Sequence, residues 1–188
     1  MNRYCLDLNF NNSSPFRYQS MIDNLLLERK RHTILDSNFF STQIVSIFDE
    51  LGLYIWQSES FYKPAGDQLA TIHTDSDSIY DHIKINWVIC QDPQSRMHWY
   101  SINNNQIHSS KLRITPAGSP HRQFFNDDVT LEYSARVGFP SMVQTGVPHY
   151  VIAGLNERLC ISVVPYGKVT KRPVTWDEGL CAFKKYIT

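Results

Sequence analysis

The spacing of hydrophobic residues changes once along this chain, near residue 52, from a helical period to the alternation of strands. From about Tyr18 apolar positions recur at helical spacing as far as Leu25-Leu26-Leu27, and the run closes on Glu28-Arg29-Lys30-Arg31. A second amphipathic stretch runs from about Ser41 through Ile44, Val45, Ile47, Phe48 and Leu51, with Gly52 placed as a C-terminal stop. Beyond Leu53 short β-rich segments are broken by Pro, Gly, Asn and Asp. Tyr54-Ile55-Trp56 leads into Ser60-Phe61-Tyr62. Further on, Ile83, Ile85, Trp87 and Ile89 alternate with Lys84, Asn86, Val88 and Cys90, so the two sets face opposite sides of one strand. Met97 to Ser101, Lys111 to Thr115, Thr130 to Val137, Ser141 to Thr145, His149 to Ala153 and Leu159 to Val164 are the other predicted strands. Val174 to Tyr186 reads as a helix or an irregular tail.

Six to eight short strands after two helices predict a mainly β fold with flanking helices. The expected form is a double-sheet jelly roll (a double-stranded β-helix, cupin-like) with the N-terminal helices packed on one sheet. A length of 188 residues, with no repeat or linker, fits a single domain over 1–188. Its expected parts are helical support over 1–52, a jelly-roll core over 53–165 and a C-terminal tail over 166–188.

Lys+Arg and Asp+Glu balance at 18 each, so no summed field draws nucleic acid or an anionic membrane, and neither is expected as a partner. No apolar run approaches the ~20 residues of a membrane span. The first residues, Met1-Asn2-Arg3-Tyr4-Cys5-Leu6-Asp7, carry no apolar signal region, and the expected location is cytoplasmic. Cys5, Cys90, Cys160 and Cys181 form no CxxC pair, which argues against structural zinc and for reduced thiols. The basic run Arg29-Lys30-Arg31-His32 suits a solvated helix end better than a phosphate patch.

The chemistry concentrates in His73-Thr74-Asp75, His149 and Arg158. In an extended segment the side chains at i and i+2 point to one side, so His73 and Asp75 converge while Thr74 faces away. Asp77 is the next same-side position. Two histidines and one carboxylate can occupy one face of an octahedral Fe(II) and leave three positions open. Nine residues after His149, Arg158 adds a planar fork suited to a carboxylate, beside the apolar Leu159-Cys160-Ile161. Alone, an HxD pair occurs by chance in many proteins.

Its surroundings add to it. Tyr62-Lys63-Pro64-Ala65-Gly66, then Leu69, then His73 and Asp75, with the distal His149-Tyr150-Val151 and Arg158, resembles the iron(II)- and 2-oxoglutarate-dependent dioxygenase superfamily, and its prolyl-hydroxylase-like branch above all. The resemblance spans roughly Tyr54 to Val164. The 76 positions between His73 and His149 are generous for that branch, and a long hairpin near Asn103-Asn104-Asn105 is expected to absorb them. The resemblance implies Fe(II) held by His73, Asp75 and His149, with 2-oxoglutarate as co-substrate, O2 as oxidant and ascorbate as a supporting reductant. Arg158 would clamp the distal carboxylate, helped by Ser162 on the same face, with Tyr62 and Asn86 as further co-substrate contacts. Oxidative decarboxylation would release succinate and CO2 and drive hydroxylation of a substrate C–H bond. Asp75 leaves no room for the chloride of related halogenases, while desaturation and ring formation stay open.

The expected substrate is a small, amino acid-like molecule or a peptide, met by the polar segment Asn103 to Asp128 with Arg113, His121, Arg122 and Phe124-Phe125. His98 and Tyr100 are also candidates to line the cleft, whereas His82 and His108 join no constellation. The pattern assigns no oligomeric state. Two other functions share these residues: a metal-dependent cupin enzyme needing no oxo acid, and a non-catalytic β-sandwich binding module in which His73 and His149 never meet.

Overall fold

The computed structural model describes residues 3–11, 14–67, 71–76, 81–90, 93–103, 110–114, 120–138 and 140–188. The parts of the sequence pattern that fall on Leu69, Asp77, Asn104, Asn105 and His108 lie outside them. Helix α1 (Gln19–Glu28) buries Ile22 and Leu25 and stops where Arg29 turns left-handed at φ 51°. Helix α2 (Thr42–Glu50) starts on the Ser41 hydroxyl, which accepts from Ile44 N, and buries Ile44, Ile47 and Phe48. Gly52 follows at φ +70°, a conformation few other residues adopt cheaply, and serves as the expected stop. The last helix, α3 (Trp176–Phe183), is opened by Thr175 and Glu178, whose side chains each bond the other's backbone N–H.

The rest is strand. β1 (Cys5–Asp7), β2 (His32–Ile34) and β3 (Leu53–Lys63) belong to one sheet, with β5 (Ile83–Cys90), β10 (Ser141–Gln144) and β12 (Arg158–Gly167). That sheet is antiparallel, in the order β1-β10-β5-β12-β3-β2. β4 (Ile72–Thr74), β6 (Arg96–Ile102), β7 (Lys111–Ile114), β8 (Pro120–Phe124), β9 (Val129–Ala135) and β11 (His149–Ile152) form the second. Its order is β7-β8-β4-β11-β6-β9, again antiparallel. The two segments predicted before Lys63 are one strand of 11 residues, because β12 pairs with it along its whole length. The generous interval before His149 contains the β7–β8 pair, which extends the second sheet beyond β4. The N-terminal part is not wholly helical, since β1 and β2 join the first sheet.

Alternation decides where each strand's residues go. Ile83, Ile85 and Trp87 of β5, with Leu159, Ile161 and Val163 of β12, face the helices and pack on Ile22, Ile44, Phe48, Trp176 and Phe183. Each such aliphatic side chain contributes about 1.5–3 kcal/mol through burial. On the opposite face Val88, Val143 and Cys160 meet Met97 and Trp99 of the second sheet, so the two sheets share an interior, an arrangement consistent with a β-sandwich. A third cluster, Ile72, Phe124 and Val129 with Tyr100 and Tyr150, covers the outer face of the second sheet. No helix among the described residues is long and apolar enough to cross a membrane.

Candidate metal centre

β4 and β11 are neighbours, and their pairing sets His73 directly opposite His149. Partners in register point to the same side of a sheet, so both imidazoles enter the sandwich interior, together with Trp99, the other partner of His149. Asp75 follows just past β4, where its N–H donates to the carbonyl of Thr145. The ring centroids of His73 and His149 are 4.6 Å apart. Asp75 Oδ1 lies 3.4 Å from His73 Nε2 and 3.7 Å from His149 Nε2. His73 and Asp75, two apart in sequence, and the remote His149 thus present one nitrogen or oxygen each, all within 4.8 Å of one another.

The tautomers follow from the neighbours. His73 Nδ1 is 2.7 Å from the Thr71 carbonyl and His149 Nδ1 2.9 Å from the Val147 carbonyl. A carbonyl only accepts, so each Nδ1 carries a proton and donates, which leaves each Nε2 as the nitrogen that faces Asp75 Oδ1 and would hold an ion once unprotonated. Ligating histidines are generally fixed in this way. Bonds of ~2.1 Å to one ion would set adjacent donors about 3 Å apart. Asp75 Oδ1, at 3.4 and 3.7 Å from the two imidazole nitrogens, is within an ångström of that spacing, and all three donors lie within 4.8 Å of one another, so the residues fit a divalent ion.

Charge in the site is arranged around Asp75. Burial pushes its carboxyl up, but the Lys84 ammonium, His149 and His73 together hold it well below the usual carboxylate range. Burial dominates at His149, which is 3% exposed, and takes its pKa down to about 4 against the attraction of Asp75. His73 goes the other way: burial lowers it, yet the bond to Asp75, that residue's charge and the Thr71 carbonyl outweigh the loss and raise it. Lys84 is buried, 3.0 Å from Asp75 Oδ2 and 3.2 Å from Glu59 Oε2. Two carboxylates overcome its desolvation and raise its pKa.

The expected co-substrate residues divide by face. Arg158, 4% exposed, shares the interior-facing side of β12 with Cys160 and Ser162. Its guanidinium pairs with no carboxylate among the described residues; its registered neighbour on β3 is Lys63, another cation. Desolvation lowers the Lys63 pKa and Arg158 adds to that, against Asp67, while Lys63 Nζ donates to the Val151 carbonyl across the sandwich. The Cys160 thiol, pushed up mainly by burial, lies between Arg158 and Ser162 along the interior side of β12. Ser162 donates to Asn86 Oδ1 at 2.6 Å, and the two sit in register. Tyr62 corrects the expectation: it is packed in the helix-side cluster and its hydroxyl donates to Glu157, because Phe61 and Lys63 take the interior positions of β3.

Of the substrate candidates, His121 adjoins the site, its ring 6.0 Å from that of His73, and bonds Gln123. His98, Tyr100 and Arg122 do not. They are in register with Tyr150, Leu131 and Thr74, residues of the outer face, one position off the parity of His73 and His149. His82 is buried and is no member of the cluster; its carbonyl accepts from Thr145 and Gly146. Arg31 and His32 are held by Asp67 and Glu59, which leaves little of the basic run for a phosphate.

Lys84, Glu59, Lys63 and Gln123 were not singled out by their sequence. A signal existed for Lys84: it falls in the apolar run Ile83 to Ile89, on the side it shares with Asn86 and Val88.

No known family matches this chain, and no curated protein is similar to it. Among solved structures, the X-ray structure of E. coli ycfD is similar at 13% identity and a TM-score of 0.35, over 86% of this chain and 54% of that one. The chain spans about half the length of that protein, and a likeness this slight carries no argument.

Proposed function

We propose that this chain is an Fe(II)- and 2-oxoglutarate-dependent oxygenase built on a double-stranded β-helix. The observation that carries the proposal is a pairing of sites: the His73–Asp75–His149 cluster shares the sandwich interior with a buried arginine that no carboxylate among the described residues neutralises. Burying a cation without its anion costs several kcal/mol, so Arg158 calls for a negatively charged ligand. A short dicarboxylate meets both demands. One end would lie at the ion held by His73, Asp75 and His149; the other would take the guanidinium fork, with Lys63 beside it.

Strand order supports the fold assignment. Eight strands, alternating between sheets along the chain except that β6 and β9 pair within one, give the orders β3-β12-β5-β10 and β4-β11-β6-β9, the layering of a jelly roll. The remaining four strands extend its edges.

When bound, Fe(II) with 2-oxoglutarate and O2 would supply the oxidising power for C–H hydroxylation, with succinate and CO2 as by-products. The chain's own part is to orient and shelter. Thr71 and Val147 fix the imidazoles, Lys84 fixes Asp75, and Trp99 closes the interior, its indole N–H donating to the Gln144 carbonyl. Lys111 and Arg113 of β7 are in register with Gln123 and His121, on the side of His73, and neither β7 nor β8 contains an acidic residue. That surface suits a small amino acid-like or peptidyl substrate bearing a negative charge.

Purified protein given Fe(II), ascorbate and 2-oxoglutarate should form succinate, and Asp75→Ala and Arg158→Ala should each abolish it. Calorimetry with the unreactive analogue N-oxalylglycine should show metal-dependent binding lost in Arg158→Ala. Metal binding without binding of the analogue would reject the co-substrate role and leave a cupin-type metalloenzyme.

A further inference from the structure

Lys84 does more than neutralise charge. Its ammonium is clamped between Asp75 Oδ2 and Glu59 Oε2 and lies 5.5 Å above the ring of Phe61. Glu59 is itself fixed: its other oxygen takes hydrogen bonds from Gln57 Nε2 at 3.0 Å and His32 Nε2 at 2.9 Å. His32 stacks on Phe61 with centroids 5.1 Å apart. Glu59 and Phe61 of β3 are thus held by His32 of the adjacent β2, while Lys84 reaches them from β5, with β12 between. The consequence falls on Asp75, whose two oxygens have different partners. Oδ1 faces the two imidazole Nε2 atoms, and Oδ2 is occupied by Lys84.

We propose that Lys84, braced by Glu59, is a positioning residue that makes Asp75 a one-oxygen ligand. The inference rests on the metal reading of the cluster. A carboxylate free at both oxygens binds a divalent ion through one or through two. With two imidazoles, a one-oxygen aspartate leaves three of six positions open, and a two-oxygen grip leaves two. A chelating 2-oxo acid and O2 need three. By taking Oδ2, Lys84 keeps the third position free. A cation so close to a metal site would ordinarily weaken it, and Glu59 offsets that charge, so the pair acts by geometry at little electrostatic cost.

Mn(II) counts the open positions, because each bound water relaxes bulk-water protons. The metal alone is added to the purified chain, and proton relaxivity per bound Mn(II) is compared between wild type and the variant Lys84→Met/Glu59→Gln, which replaces the buried ion pair with neutral groups. The proposal expects relaxivity to fall by about a third, three waters becoming two as Asp75 takes up the ion through both oxygens. Equal relaxivity in wild type and variant overturns it. Where the double variant fails to fold by circular dichroism, Lys84→Met alone, read the same way, decides. A wild type that binds no Mn(II) rejects the metal centre itself, whereas a wild type that binds it with an unchanged variant rejects only the role of Lys84.

Discussion

The two faces of the first sheet are made by the same strands yet have opposite characters. On β5 and β12 the residues toward the helices are Ile83, Ile85, Trp87, Leu159, Ile161 and Val163, an unbroken apolar layer. One position along, the residues toward the sandwich interior include Lys84, Asn86, Arg158 and Ser162, all buried and all polar. A strand's alternation lets each chemistry be set without disturbing the other. The helix side is dry and closely packed and supplies the free energy of folding. The interior side spends part of that free energy on desolvating ions and hydrogen-bonding groups, which no stability requirement would select. A buried polar layer, backed by an apolar one that keeps it in place, is the feature to expect of a site.

The largest separation of the two faces should come from adjacent residues. Trp87 is fully buried, with the rings of Phe10, Phe16 and Phe40 at 6.3, 6.3 and 5.2 Å. Trp87→Ala should cost about 3–5 kcal/mol in urea unfolding, through lost burial and the cavity left behind. The double variant Asn86→Ala/Ser162→Ala removes both partners of one buried hydrogen bond on the other face and should cost only about 1 kcal/mol. Similar losses from the two would mean that the interior face carries the fold as well, and the division of labour would be wrong.

The next test asks whether the polar face is preset for a cation. An ion must find both imidazoles unprotonated. Burial keeps His149 neutral down to about pH 4, so it gives up no proton in the range above that. His73 stays protonated beside Asp75 to above its ordinary value. In linkage, His73 stabilises the metal-free fold at low pH and loses that contribution as pH rises through its raised pKa. His149 does the reverse: its contribution is present above the unfolded value of about 6.5 and is lost as pH falls toward about 4. One proton should then leave per ion bound. Mn(II) affinity, followed by the electron paramagnetic resonance of the free ion, should rise about tenfold per pH unit between roughly pH 5 and 6.5. A hundredfold rise per unit would mean that His149 is charged too.

What the sequence made legible was local geometry. His73 and Asp75 share a side because they are two apart on extended backbone, and the alternation in β5 separated Trp87 from Asn86 before any fold was known. α2 carried its own cap and stop in Ser41 and Gly52. What stayed hidden depends on pairing between distant strands. β1 and β2 have three residues each, too few for a pattern, and exist because β10 and β3 offer them an edge. That Tyr62, His98, Tyr100 and Arg122 lie off the interior face was hidden for one reason: a strand's parity says which residues share a face, and only its register against a neighbour says which face that is. Nor does alternation alone say that Glu59 and Lys84 are buried. They are buried because a second sheet covers them, and no single strand records that.

The smallest expected effect sharpens the contrast most, since it touches a helix packed on the apolar face. α3 packs on the apolar face through Trp176 and Phe183, and its first turn is secured by Thr175. The hydroxyl accepts from Glu178 N at 3.4 Å, while Glu178 Oε2 accepts from Thr175 N at 3.0 Å. Thr175→Ala removes half of this reciprocal cap and should cost about 1 kcal/mol, a fall of roughly 2–4 °C in Tm for a chain of this size. The bond to Thr175 N, first among the causes, lowers the Glu178 pKa, so the Glu178 half of the cap persists in the variant until acid protonates it. That contribution is present at neutral pH and is lost as pH falls through the lowered value. If helix-side residues serve only the fold, Mn(II) affinity of Thr175→Ala at 20 °C should equal that of wild type. A variant that loses affinity while still fully folded would show that the layer beneath the site also tunes it, and the two faces would have to be treated as one.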